Sequence, residues 1–91
     1  MTLSQALRWL DDVEYVIECL ALNATAEARA ALVELILDAE SDQHLDGADR
    51  ARVLDALEGA RAALITPPES PEAQPAYLLS RLTRHLWRQV H

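Results

Sequence analysis

Apolar residues recur along this chain at spacings of three and four, the period of an α-helix, and breaks divide them into four runs. In the first run, Leu3, Ala6, Leu10, Val13, Ile17 and Leu20 share one face and predict a helix from about Leu3 to Leu22. Trp9 and Val16 widen that face on one side and Leu7 on the other. Thr2 and Gln5 stand at capping-box spacing, so the hydroxyl can accept from the third helical amide while the glutamine reaches back. Asn23-Ala24 breaks the helix. Thr25 is then the expected N-cap of a second helix, running from Ala26 to Ala39 or Ser41, with Ala28, Leu32, Leu35, Ile36 and Ala39 inward. Val33 and Leu37 lie off that face, so this helix is apolar nearly all round and is expected either at the centre or at an interface.

A polar loop, Glu40 to Asp46, leads to a third helix that opens at Asp46 or Gly47 and reaches Leu64 or Ile65. Its inward stripe is Val53, Leu54, Leu57, Ala60 and Leu64, and Glu58 and Arg61 are spaced to pair across one turn. Pro67 and Pro68 stop it, because proline lacks an amide and restricts the residue before it. Residues 67–75 hold four prolines and predict an extended, fairly stiff linker able, at about 3 Å per residue, to span one helix length. Pro75 suits the first turn of a fourth helix over Ala76 to Val90, whose apolar face is Leu78, Leu79, Leu82, Leu86 and Val90. The pattern predicts an all-α fold: a small antiparallel helical bundle, three helices plus a C-terminal fourth after the proline-rich linker. Residues 1–66 form an acidic body, 67–75 the linker, and 76–91 a basic amphipathic helix that packs on the body or on a partner.

Charge sharpens this division. Residues 1–74 hold all 15 carboxylates and five of the eight arginines, a balance of −10, while residues 75–91 carry +3 and no acid. Asp11, Glu14 and Glu18 sit at i, i+3, i+7 on the first helix, and Arg81, Arg84 and Arg88 repeat that spacing on the fourth. Antiparallel packing of the two helices can align the rows, orienting the contact while the leucines supply its strength; the alternative is that both rows are solvated faces, as charge rows usually are. Trp87 and Tyr77 flank the basic row beside His85; Trp, Tyr and Arg often dominate binding at interfaces. The acidic body argues against nucleic acid and anionic membranes, and no apolar run reaches the roughly 18 residues that span a bilayer. At 91 residues the chain is one domain with a small core, so association would add stability.

Candidate chemistry is sparse. Asp38, Glu40, Asp42, Asp46 and Asp49 fall in a calcium-loop register, but Gln43 stands where the turn needs glycine and Asp49 where a longer glutamate binds. A second register from Asp42 fails at Val53. His44 with Glu40 and Asp42 lacks the paired histidines or cysteines of a strong transition-metal site. The single cysteine, Cys19, excludes an intrachain disulfide, fits a reducing cytoplasm and projects with Arg8, Asp12 and Tyr15 away from the predicted core, with no histidine base nearby. Glycines are too few for a phosphate loop, and the N-terminal residues do not read as a signal peptide. The absence of lysine fits a GC-rich bacterial or phage genome.

These features predict a non-enzymatic, cytoplasmic protein without a cofactor. It binds another protein of basic surface, as an inhibitor, immunity protein, anti-defence protein or adaptor, through Asp11, Glu14, Glu18, Asp42 and Asp46. Arg81, Arg84, His85, Trp87 and Arg88 form the second contact set. The alternatives are a homodimer that exchanges its C-terminal helix and a metal- or calcium-responsive protein.

Overall fold

A computed structural model describes residues 2–90; His91, counted above with the basic segment, lies outside the described residues. Four α-helices follow in order: α1 (Leu3–Ala21), α2 (Thr25–Ser41), α3 (Gly47–Ile65) and α4 (Pro75–Val90). Each packs on its two neighbours in a closed ring, α1 on α2, α2 on α3, α3 on α4 and α4 on α1, with no diagonal contact. Cross-bundle contacts fix the directions. Arg8 near the start of α1 meets Asp38 near the end of α2, and Arg50 at the start of α3 reaches back to Ala39. His85 late in α4 faces Asp49 early in α3. The chain therefore runs up, down, up and down, in a body 33 × 25 × 22 Å.

The ends of the helices follow local chemistry. Thr2 closes the expected capping box: its Oγ1 accepts from the Gln5 amide at 3.3 Å and its own amide donates to Gln5 Oε1 at 2.9 Å. At the other end, Asn23 takes φ 59°, the left-handed conformation that asparagine tolerates. The Ala24 amide then donates to Cys19 O at 2.8 Å and the Asn23 amide to Leu20 O at 3.1 Å, the two bonds of a Schellman turn. That turn hands the chain directly to α2. As a result Ala24, with no side-chain cap, is the N-cap, and Thr25, expected in that role, is already helical. Asp46 caps α3 through its Oδ1, which accepts from the Asp49 amide at 2.7 Å.

The linker is not extended throughout. A 3-10 turn at Pro71–Ala73 folds it back, and Gln74 Nε2 donates to Pro68 O at 3.0 Å. Pro75 is the first residue of α4, one earlier than expected, because its missing amide would have no helical partner there anyway.

The core is apolar throughout the described residues. Leu79, Leu82 and Leu86 of α4 join Val13 and Val16 of α1, Leu32 of α2 and Val53 and Leu57 of α3 in one cluster. On α1 the buried stripe is Ala6, Trp9, Leu10, Val13, Val16 and Cys19. It is turned by about one position from the stripe expected from the sequence, so Ile17 and Leu20 are half-buried and Leu3 is 54% exposed. The rotation arises because α1 is flanked by α2 as well as α4, and α2 lies against the side that carries Asp12 and Cys19, with Arg8 at its exposed rim facing Asp38. Cys19, expected at the surface, is consequently buried, 7% exposed. On α3, Gly59 permits close approach to α4, since a Cβ there would lie 3.1 Å from Leu78 Cδ1.

Two stability measurements test this layout. Leu86→Ala, in the seam that closes the ring, should lower the unfolding free energy by about 2–5 kcal/mol, whereas Leu37→Ala on the exposed side of α2 should change it by less than about 0.5 kcal/mol. Asn23→Val, which forces a β-branched side chain into the left-handed region, should cost about 1–2 kcal/mol in the same urea titrations, and Asn23→Gly should be close to neutral.

Candidate functional site

The acidic and basic rows are where charge is most ordered, and the ring of helices decides what they face. Asp11, Glu14 and Glu18 lie opposite the buried stripe of α1 and are exposed. Arg81, Arg84 and Arg88 lie on the outer side of α4, away from Leu79, Leu82 and Leu86, and are exposed too. Among the described residues the rows form no ion pair with each other. The expected alignment across the α1–α4 contact is therefore corrected. Packing of α4 on α1 is apolar, with Leu79, Leu82 and Leu86 joining Trp9, Val13 and Val16 in one cluster, and both charge rows stand in solvent, where carboxylates and guanidinium groups keep their hydration. The expected Glu58–Arg61 pair is likewise not formed.

The loop from α2 to α3 uses its carboxylates for local structure. Asp42 Oδ1 accepts from the His44 amide at 2.9 Å, and Asp46 is the cap of α3. Arg50, which carried no signal in the sequence beyond its charge, closes the end of α2. Its Nε donates to Ala39 O at 3.1 Å and its Nη2 donates to Asp42 O, satisfying carbonyls that a helix end leaves without partners. Among the described residues no three His, Cys, Asp or Glu side chains come together as a metal cage. A shallow hollow of about 260 Å³ lies beside this loop, bounded by Arg8, Asp38 and residues 41–44. On α1, Asp12 is pushed above the usual carboxylate value, chiefly by burial; Arg8 opposes the shift, and Asp38 and Asp11 add to it.

A larger cleft, about 490 Å³, opens between α3 and α4. Ala48, Arg52, Asp55 and Ala56 line one wall and Leu78, Arg81, Leu82 and His85 the other. Small residues on α3 hollow it out, and Arg81 is the member of the basic row that turns into it. The sequence hinted at this site only through the alanines, which read equally well as helix formers. His85 lies at its deep end, 17% exposed, with Nε2 3.8 Å from Asp49 Oδ1, too long for a hydrogen bond. That Nε2 is buried and has no hydrogen-bond partner. Burial, aided by the charges of Arg52 and Arg88 and opposed by Asp49, holds the imidazole below its usual titration range. His85 is thus neutral at pH 7 and belongs to the wall of the bundle, not to its exposed basic row.

Cys19 is inside the α1–α2 contact, one turn from Tyr15. The Tyr15 phenol is raised above its usual value, first by hydrogen bonding to the Cys19 thiol. Tyr77 and Trp87 are 40% and 44% exposed, so the rings flanking the basic row remain at the surface as expected. No helix among the described residues is long and apolar enough to cross a membrane.

The depressed His85 value has a defined consequence for stability. The unfolded chain takes up a proton near pH 6.5 and the folded chain does so only at lower pH, so stability is full above that range and falls as the solution is acidified through it. Urea midpoints should therefore decline from pH 7.5 to 5.5, and His85→Gln should flatten that decline.

Comparison of the chain with protein-family models, with curated proteins and with solved structures gives no match in any of the three.

Proposed function

We propose that this chain is a non-enzymatic protein-binding module that works by presenting the acidic outer face of α1 to a basic protein surface. The observation that carries the reading is that Asp11, Glu14 and Glu18 form an exposed row that engages none of the chain's own arginines among the described residues. A row of carboxylates held on a rigid helix costs little further ordering on binding. With a net charge of −7 it also steers a cationic partner toward the bundle before contact. The loop residues Asp42 and Asp46 reinforce that field while holding their structural hydrogen bonds. An inhibitor, immunity or adaptor role, acting by occupation of a surface, fits a body whose carboxylates serve capping and solvation. A cytoplasmic setting fits a chain whose single thiol is buried and free.

The test is charge reversal on an intact fold. Asp11, Glu14 and Glu18 are exposed, so the triple change to Lys should leave helicity and the unfolding midpoint nearly unchanged. Basic proteins captured by the immobilised chain from native cell lysate should be lost with the triple variant, and their association with the unaltered chain should slow steeply with salt. Equal capture by both forms would show that this face does not bind.

A further inference from the structure

We propose that the basic surface best matched to the α1 row is α4 of a second copy of this chain, so that two bundles associate through a two-fold interface on their α1–α4 face. The inference rests on the reading of α1 as a binding face and names its occupant, held by local contacts and not by net-charge steering, since both copies carry −7.

The composition of that face follows from helix spacing. Leu3, Leu7, Asp11, Glu14 and Glu18 fall within one side of α1, and all are exposed. On α4, Leu78, Arg81 and His85 turn toward α3, as the cleft between those helices shows. Trp87 lies on the opposite flank of α4, toward α1, and Arg84 on the outer side between the two, both exposed. Because the chain alternates direction at each step around the ring, the start of α1 lies beside the end of α4. Trp87 then comes level with Leu7, and Arg84 lies within about a turn of Asp11. Leu3, Leu7 and Trp87 are 54%, 43% and 44% exposed, an apolar end to a face whose remainder is charged.

This arrangement is complementary to itself. A two-fold axis parallel to the bundle sets α1 of each copy over α4 of the other at the same level. Trp87 then meets Leu3 and Leu7 of the second copy, and Arg84 meets its Asp11 and Glu14. The same contacts repeat on the other side of the axis, so the pair closes and does not polymerise. A buried tryptophan ringed by arginine and carboxylates is the composition that concentrates binding energy. It also gives Arg84, Asp11 and Glu14 the opposite charges that pairing within one chain does not supply.

Sedimentation equilibrium of the purified chain over roughly 1 µM to 1 mM should show the mass moving from one chain to two. Trp87→Glu should weaken association by at least about 30-fold, with helicity unchanged by circular dichroism. Arg84→Glu, and separately the double variant Asp11→Arg with Glu14→Arg, should each stay at one-chain mass. An equimolar mixture of those two should recover the dimer, because one of its two contacts is charge-swapped and the other is native. A chain that keeps one-chain mass at the highest concentration overturns the proposal, as does a mixture that fails to associate or a Trp87→Glu form that associates like the parent. If the chain stays monomeric while reversal of the α1 row still abolishes capture of basic proteins, the acidic face binds as proposed above and only the second copy is removed as its occupant.

Discussion

The seam that Leu79, Leu82 and Leu86 of α4 make with α1 and α3 is the interaction on which the rest depends. Without it α1 and α3 would be the open edges of a three-helix layer, and Leu10, Val13, Val53 and Leu57 would be exposed along one side. A chain of this size has little hydrophobic burial to spare. Docking of α4 therefore completes the core and is not an addition to a finished body. The 3-10 turn in the linker and the close approach at Gly59 both serve that docking, by shortening the path to α4 and letting the Leu78 side chain seat against α3.

Closing the ring also dictates where charge can go. Each helix has two flanks covered by neighbours and a single outer side, so ionisable groups are confined to those outer sides or to the shallow clefts between helices. The acidic row of α1 and the basic row of α4 both end up facing outward into solvent, although their helices touch. The exceptions are informative. Arg50 is half-buried because it satisfies the carbonyls at the end of α2. His85 is half-buried and neutral because the α3–α4 cleft desolvates it beside Arg52. Asp12 is drawn partly under α2 by the same rotation of α1 that buries Cys19.

Much of the architecture was legible in the residues. The capping box at Thr2, the stop at Asn23, the cap at Asp46 and the prolines after Ile65 are local signals, each satisfied within a few residues of its origin, and the structure uses all of them. The leucine face of α4 was legible for the same reason: strong amphipathicity leaves one way to bury the helix. The second helix was ambiguous, and the ring explains why. No helix is central, so Val33 and Leu37 stay partly or largely exposed, 37% and 59%. The site was less legible. The charge rows could be counted in the sequence but not aimed, and the α3–α4 cleft arises from which alanines of α3 happen to face α4.

The sequence by itself determined four helices, their boundaries to within a residue or two, and the segregation of acid from base, because hydrophobic period, caps and breakers act over distances of a few residues. Tertiary structure alone decided that α1 is rotated to bury Cys19, that His85 is desolvated, and that the two charge rows face solvent and not each other. Those outcomes depend on which neighbours flank each helix. A helix flanked on two sides buries the bisector of its two contacts, and that direction is a property of the assembled ring.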